Sequence, residues 1–371
     1  MPHPSSSAER GSLAPCETGA REALRPRLLL EATDEDWVRL GLGPLAWWLV
    51  RQGLVHRDLS PEVVASAFEA LATWELQSGA AVALCRALEA AGVPAAFLKG
   101  TDLNLRCYPR AGLRPMLDVD LLVRAEDLGR VREVLGELEF RSLDRPEDPP
   151  ANTAFEWLFV RDRDHVQLDV HTAVDWQEGL GVETKDLLRR RVRAGASGLP
   201  VLDGPDLVLN LATHALRDLA LDGTRAVVDT HLALAALEPD WDALVERARA
   251  WRARPALLLL LSRLRRFEGV PVPRRVLEAL QVGWVPSALA AWGGSVVDPP
   301  RLLRVRWVAR GARLLAIESP LDRVRLALRY LGLRASPRRR RRPGARRLGP
   351  QRAERADGSA PSPDTSHRQG R

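Results

Sequence analysis

The sequence predicts an α+β protein in which a small mixed sheet of four or five strands is inserted between helical flanks. Two observations carry this prediction. On both sides of the centre, apolar residues recur every three or four positions, which is typical of helices with one buried face. Between residues 93 and 171 the repeat shortens to two, which is typical of strands.

Residues 27–92 are predicted to form an N-terminal helical segment. Its tryptophans and leucines follow the helical repeat, and Ser60-Pro61-Glu62 is a typical helix start, with the helix expected to run to about Ala91. Residues 1–26 are rich in Ser, Pro and Ala and carry scattered charges. We predict that they form a disordered leader.

The catalytic core is predicted at residues 93–180, because the strand-like runs lie there. Four short runs are predicted as strands: Val93–Leu98, Asp118–Val123, Phe155–Arg161 and Val166–His171. A turn-rich tetrad separates the last two runs, which favours a hairpin. A helix is expected between them and the earlier pair, from about Arg124 to Leu138.

A C-terminal helical domain is predicted at residues 181–333, because the helical repeat returns there. Its predicted helices are Asp206–Leu219, Ala226–Leu237, Trp241–Trp251, Pro255–Phe267 and Pro273–Leu280, with one more after Pro299-Pro300 that ends near Leu333. Residues 334–371 contain almost no large apolar residue, so we predict a disordered Arg-rich tail.

The net charge of +7 is not spread over the chain. Twelve arginines and three acidic residues give residues 334–371 a charge of +9, which leaves about −2 for the rest. The basic charge therefore does not predict a nucleic-acid-binding fold. Binding of nucleic acid through the tail, including the run Arg338–Arg342, is an alternative that we do not favour over a solvated tail.

Membrane and disulfide classes are not indicated. The chain has no run of 18 apolar residues and no apolar stretch typical of a secretory signal, so we predict no transmembrane segment and a cytoplasmic location. Its three cysteines, Cys16, Cys85 and Cys107, have no CxxC spacing and are expected to be free thiols.

Three acidic residues carry the chemistry that the sequence indicates. Strand alternation puts Asp118 and Asp120 on one face, about 7 Å apart, where they can share hard cations such as Mg²⁺. Asp169 shares a strand face with His171, and three carboxylates on adjacent strands suit two-metal phosphoryl transfer. The alternatives are solvent-facing acids, and for His171 a residue that orients Asp169, contacts substrate or is merely half-buried.

A phosphate cradle is predicted next to these carboxylates. Lys99-Gly100-Thr101 ends a strand and begins a helix, where a glycine permits close backbone approach and helix amides favour an anion. Lys99 is one of only two lysines in the chain, and it and Arg114 are the nearest cations. We therefore expect Lys99, Gly100, Thr101 and Arg114 to bind the nucleotide phosphates.

These motifs together resemble a known family, the uncharacterised bacterial nucleotidyltransferases of the polymerase-beta-like superfamily. The resemblance spans roughly residues 28–271 and rests on Phe97-Leu98-Lys99-Gly100, Tyr108-Pro109, Leu113–Val123, Leu168–His171 and His214. It implies a sheet of the nucleotidyltransferase type and transfer of a nucleoside monophosphate from an NTP to an acceptor hydroxyl. It also implies that Asp118, Asp120 and Asp169 hold Mg²⁺ or Mn²⁺ and that Gly100 lies beside the phosphates.

The sequence departs from the wider superfamily at two points. Thr101 follows Gly100 where glycine or serine is usual, and the spacing from Gly100 to Asp118 is longer than is common. Thr101 keeps a hydroxyl, so the phosphate role is retained while the pose of the nucleotide is less well defined.

The acceptor is left open by the sequence. A small molecule, sugar or peptide is favoured, with an RNA-modifying, toxin-like transferase and a non-catalytic scaffold as alternatives. His214, Arg217 and Asp218 form one polar helix face, as Asp229 and His231 do on the next helix, and each face suits either an ion pair or substrate binding. Most tryptophans are interpreted as core residues, and Trp176 is the one candidate for base stacking.

Overall fold

The computed structural model describes residues 25–143, 156–174, 179–217 and 223–284, together with 287–288, 292, 311, 314 and 316–330. Four helices come first in this part of the chain: α1 (Arg27–Glu31), α2 (Asp34–Arg39), α3 (Gly43–Arg51) and α4 (Pro61–Ala90). The start of α4 agrees with the prediction, since Ser60 caps it by accepting a hydrogen bond from the amide of Val63.

Seven strands form one mixed sheet. They are β1 (Ala95–Phe97), β2 (Val119–Val123), β3 (Phe140–Ser142), β4 (Glu156–Arg161), β5 (Val166–His171), β6 (Val192–Ala194) and β7 (Leu199–Val201), in the order β3-β4-β5-β2-β1-β7-β6. The α+β class is confirmed, but the expected four or five strands were too few. The three additional strands have three residues each, which is too short for a visible alternation.

The sheet continues beyond residue 180, where only helices were expected. β7 pairs in parallel with β1 through Phe97 and Val201, and β6 extends the sheet further. Pro200, in the middle of β7, argues against a strand in the sequence, because proline cannot donate to a strand ladder. Here the proline lies in a three-residue strand that buries all of its side chains.

The remaining helices follow the sheet strands and complete the fold. They are α5 (Lys99–Arg106), α6 (Leu128–Glu137), α7 (Thr184–Arg190), α8 (Gly204–Arg217), α9 (Gly223–Leu237), α10 (Trp241–Trp251), α11 (Arg254–Arg263), α12 (Arg274–Ala279) and α13 (Pro320–Tyr330). The predicted helix of 241–251 is confirmed in full. Pro320 begins α13, whereas we had interpreted it as an interruption of a longer helix, whose earlier part lies mainly outside the described residues.

The two faces of the sheet pack against different helices. On one face, Phe97, Leu121 and Val170 join a core with residues of α4 and α6. On the other face, Ala96, Leu98 and Leu122 join the larger core that contains the C-terminal helices. Since strand side chains alternate between faces, Asp120 and Asp169 belong to the second face, under the helical half of the molecule.

Several smaller expectations can be compared with this structure. Cys85 and Cys107 are free and buried, and Trp48, Trp74 and Trp157 are buried as core residues. Among the described residues, no helix has both the length and the apolar character that a membrane crossing requires. Cys16, Trp176, Asp218 and the run Arg338–Arg342 lie outside the described residues.

Candidate active site

Two neighbouring strands bring the predicted acidic residues together. β2 and β5 run in parallel, and their register pairs Asp120 directly with Asp169. Side chains at paired positions point to the same face of a sheet, and His171 shares that face because it lies two residues after Asp169. Local sequence and register together therefore place two carboxylates and one imidazole side by side.

The three side chains are close enough to share one metal ion. One ligand atom from each of Asp120, Asp169 and His171 lies within 4.8 Å of the others, and all three side chains are buried. Among the described residues, this is the group of His, Cys, Asp and Glu side chains with that property. The predicted trio was Asp118, Asp120 and Asp169, so His171 enters the compact group and Asp118 lies beside it.

Asp120 accepts two hydrogen bonds on the same oxygen. Nζ of Lys99 and Nε2 of His171 each lie 2.8 Å from Oδ1 of Asp120. Burial alone would raise the pKa of Asp120, but Lys99 and His171 together lower it far below its ordinary value. Asp120 is therefore an ionised carboxylate at neutral pH. His171 contacts Asp120, not Asp169, which it was one of our alternatives to orient.

Lys99 reaches Asp120 from an unusual backbone position. It is the first residue of α5 and has a φ of +43°, in the left-handed region that side chains other than glycine rarely adopt. Such a conformation costs on the order of 1–3 kcal/mol and persists only where surrounding contacts fix it. The ion pair with Asp120 is one contact that holds Lys99 in this place.

Asp169 has the opposite electrostatic environment. Burial raises its pKa to about 9, and the nearby carboxylates of Asp118, Glu156 and Asp120 add to the rise. Asp118 precedes β2 by one residue, so it lies at the strand end and not within the strand as predicted. Its charge nevertheless acts on Asp169, which places it at the edge of the same site.

Glu156 is a site residue that the sequence analysis did not identify. It is the first residue of β4, its register partner on β5 is His171, and its carboxyl group hydrogen-bonds to Asp169. The signal was present: the two predicted hairpin strands pair antiparallel, so the acid at the start of one faces the end of the other. We had followed acidic residues along the second strand only.

The predicted phosphate residues lie at the start of α5, next to Asp120. A Cβ atom at Gly100 would come within 2.7 Å of Cγ of Met116 and 2.8 Å of Nη1 of Arg114. Glycine is therefore required here by the close packing of two side chains. Thr101 is 1% exposed, and its buried hydroxyl has no hydrogen-bond partner among the described residues.

The other predicted residues are placed as follows. Arg114 lies over Gly100 and forms a buried ion pair with Asp229 of α9, at 3.0 Å between Nη2 and Oδ2. His214 is half-buried on α8 and is not a member of the Asp120, Asp169 and His171 group. Of the two polar helix faces, that of Asp229 therefore forms an ion pair, and it does so with a predicted site residue.

Comparison with known proteins identifies the class. Residues 41–269, more than half of the chain, match the model of a family described as uncharacterised nucleotidyltransferase. The chain belongs to this family, so it is an enzyme of the nucleotidyltransferase class. The resemblance found in the motifs of residues 97–123 and 168–171 is thereby confirmed.

Two solved structures are similar to the chain at low identity. The solution structure of the antibiotic-resistance factor ANT(2'')-Ia is 16% identical, covers 50% of this chain and 96% of that chain, and has a TM-score of 0.36. A crystal structure of ANT(2'')-Ia in complex with adenylyl-2''-tobramycin is 14% identical, with coverages of 48% and 98% and a TM-score of 0.35. A search of curated proteins finds no match. The class assignment rests on the family match.

Proposed function

We propose that this enzyme transfers a nucleoside monophosphate from an NTP to a hydroxyl group of a small-molecule, sugar or peptide acceptor in a metal-dependent reaction. Asp118, Asp120 and Asp169 are assigned to the metal ions, which are Mg²⁺ or Mn²⁺. Lys99, Gly100, Thr101 and Arg114 are assigned to the nucleotide. His171 is assigned to orienting Asp120, and His214 remains a prediction for the acceptor side.

One observation carries the proposal: Asp120 and Asp169 are paired in register on parallel strands, with their carboxylates buried together. Burying like charges side by side is unfavourable unless something compensates them. Lys99 compensates Asp120, whereas Asp169 faces three other carboxyl groups. A fold that gathers this much acid at one buried place is well suited to hold divalent cations.

The donor atoms fit the proposed metal. Carboxylate oxygens are the ligands that Mg²⁺ and Mn²⁺ prefer, whereas an imidazole nitrogen suits later transition metals better. Asp118, Asp120 and Asp169 are therefore the residues that would hold the ions, with His171 bonded to Asp120. When bound, divalent ions at such a site activate the attacking oxygen and neutralise the leaving pyrophosphate.

The cationic residues determine where the triphosphate would lie. Nζ of Lys99 is beside Asp120, and Nη1 of Arg114 faces Gly100, so both cations line the start of α5. The first backbone amides of a helix lack intrahelical partners and favour an anion. This arrangement would bind the phosphates between α5 and the carboxylates, and the burial of the site would exclude bulk water from the reacting groups.

The proposal is tested by offering the enzyme its substrates directly. The purified chain is incubated with an NTP mixture, Mg²⁺ and candidate hydroxyl acceptors, and the products are analysed by mass spectrometry. We expect an acceptor that gains the mass of a nucleoside monophosphate. Substituting Asp118→Ala together with Asp120→Ala should lower the turnover by at least about a hundredfold, because the metal ligands are lost.

Asp162→Ala is the matched control, because it removes an exposed acid whose partner is Arg141 at the surface. Its turnover and its Mn²⁺ affinity, measured by calorimetry, should equal those of the unmodified enzyme. Equal turnover and metal affinity in the double variant and in the control would overturn the proposal. Loss of metal binding in the double variant alone would support it.

An RNA acceptor is a second candidate, favoured by one feature of the sequence. The charge of +9 in residues 334–371 would release counterions on binding a polyanion. Removing residues 336–371 should then weaken binding to a single-stranded RNA and flatten its salt dependence, as measured by fluorescence anisotropy. Unchanged affinity and slope after truncation would rule out the tail as an RNA-binding arm.

A further inference from the structure

Asp229 forms an unusually complete set of contacts with Arg114. Nε of Arg114 lies 3.1 Å from both carboxylate oxygens of Asp229, and Nη2 lies 3.0 Å from Oδ2. The hydroxyl of Tyr108 donates a further hydrogen bond of 2.7 Å to Oδ1. Asp229 is 3% exposed, so the carboxylate is bonded almost entirely within the protein.

These contacts use only part of the Arg114 guanidinium. Nε and Nη2 are occupied by Asp229, and Nη1 is the nitrogen that faces Gly100 at the start of α5. A planar guanidinium held along one edge has its other edge fixed in direction as well. The free edge of Arg114 is therefore directed at the residues to which we assign the nucleotide phosphates.

The backbone around Arg114 is fixed by other residues. Oδ1 of Asn104 accepts hydrogen bonds from the amides of Gly112 and Arg114, and Nδ2 of Asn104 donates to the carbonyl of Arg114. Arg225 donates to the carbonyl of Pro115 at 2.5 Å. Since these contacts already hold the chain, the contribution of Asp229 is to the head group of Arg114.

We infer that Asp229 is a positioning residue, which orients Arg114 so that its Nη1 binds the triphosphate of the nucleotide. This inference rests on the function proposed above. An arginine of this length without a partner would sample several rotamers, and fixing it beforehand lowers the entropy lost when the phosphate binds. Asp229 itself would touch neither the nucleotide nor the acceptor.

The contacts of Asp229 have a competing explanation, which is a purely structural ion pair between α9 and the segment that precedes β2. The two explanations differ in what they predict for binding. A structural pair affects every ligand alike, through the stability of the fold. A positioning residue affects the ligand that has phosphates at Nη1 and leaves a shorter ligand unaffected.

The experiment compares a triphosphate with its monophosphate. ATP, GTP, CTP and UTP are each titrated into the unmodified enzyme by calorimetry, and the tightest of them is carried forward with the matching monophosphate. In Asp229→Asn we expect the affinity for the triphosphate to fall by about tenfold, since a misdirected donor loses most of a charge-assisted hydrogen bond. The affinity for the monophosphate should stay unchanged.

Two further variants separate orientation from charge. If Asp229 acts through Arg114, Asp229→Asn should have no additional effect on triphosphate binding in an Arg114→Gln background. Arg114→Lys keeps the positive charge but cannot bind Asp229 along one edge and a phosphate along the other. We expect it to lose nearly as much triphosphate affinity as Arg114→Gln, and this arm does not depend on the folding of an Asp229 variant.

Asp206→Asn is the matched control for burying an altered aspartate. Asp206 is fully buried and, like Asp229, accepts hydrogen bonds from arginine, here Arg190 and Arg247. It contacts none of the residues assigned to the nucleotide among its hydrogen-bond partners. Its variant should lose stability but keep the ratio of triphosphate to monophosphate affinity.

The outcomes distinguish this inference from the proposed function. If the unmodified enzyme binds none of the four triphosphates, both fail. If it binds one, and Asp229→Asn binds it equally well or loses both ligands equally, Asp229 is structural only and the proposed function stands. Additive effects of Asp229→Asn and Arg114→Gln, or full triphosphate affinity in Arg114→Lys, would also overturn the inference.

Discussion

Asp120 and Asp169 occupy paired positions on neighbouring strands, yet their pKa values move in opposite directions. Asp120 is bonded to Lys99 and His171, which stabilise its charged form. Asp169 is surrounded by carboxyl groups and burial, which favour its neutral form. Two like residues in one register pair therefore hold different protonation states at neutral pH, one anionic and one neutral, which lets the fold bury both.

The raised pKa of Asp169 predicts a pH-dependent stability. Unfolded, the group titrates near 3.8, and folded near 9, so between about pH 5 and about pH 8 the folded chain holds a proton that the unfolded chain has lost. The free energy of unfolding should therefore fall as pH rises through this window, by at most about 1.4 kcal/mol per pH unit from this group. Urea denaturation at a series of pH values measures the slope.

Asp169→Asn provides the comparison, because an amide does not titrate. The variant should show a flatter dependence of unfolding free energy on pH than the unmodified chain. Asp162→Asn alters an exposed acid whose pKa is lowered by Arg141, and it should leave the slope in this window unchanged. Identical slopes for Asp169→Asn and the unmodified chain would contradict the assignment.

At the scale of elements, helix α5 and the segment before β2 act as one packed unit. Asn104 of α5 bonds to the backbone of Gly112 and Arg114, and its Nδ2 lies 3.3 Å from the sulfur of Met116. The segment folds back over Gly100 as a result. This packing brings a residue of the segment, Arg114, to the helix start, although fourteen positions separate it from Gly100 in the sequence.

Gly100→Ala tests how tight this unit is. Gly100 has no positive φ, so alanine alone would favour the helix by up to about 1 kcal/mol. The added Cβ would instead meet Met116 at 2.7 Å, and overpacking of this kind costs about 1–3 kcal/mol. We expect a net loss of unfolding free energy in urea denaturation.

The Met116→Ala background serves as the control for that clash. Without the Met116 side chain, the loss caused by Gly100→Ala should be smaller, because the closest contact of the added Cβ is gone. The same loss in both backgrounds would show that Met116 does not set the requirement for glycine.

At the scale of the whole molecule, buried ion pairs join the helical half together. Asp206, at the start of α8, accepts hydrogen bonds from Arg190 of α7, Arg247 of α10 and Nε1 of Trp251. Three helices therefore meet at one fully buried carboxylate. Burial raises the pKa of Asp206, against the effect of the two arginines.

Removing this carboxylate should destabilise the molecule strongly. Asp206→Ala leaves two arginines and one indole N–H without their partner, and breaking a buried pair in this way costs about 3–5 kcal/mol. Chemical denaturation followed by tryptophan fluorescence and by circular dichroism measures the loss. Arg39→Ala, which removes an exposed ion pair with Asp36, should cost less than about 1 kcal/mol. Equal losses would mean that the Asp206 contacts do not hold the helices.

The predictions from the sequence succeeded where a local pattern was long enough to read. The strand of Val166–His171 and the helix of Trp241–Trp251 agree with the structure in full, because each repeats its period several times. The strands β3, β6 and β7 were not predicted, since three residues cannot establish a period and pairing with a distant strand stabilises them. The alternation also reported which acids share a face.

The sequence by itself determined the fold class, the family and the residues Asp118, Asp120 and Asp169, because strand periodicity and motif order are local properties of the chain. Only the tertiary structure decided which side chains meet. It paired Asp120 with Lys99 and His171, placed Glu156 beside Asp169 and joined Arg114 to Asp229. The register between strands and the packing of α9 set these contacts, and both depend on residues far apart in sequence.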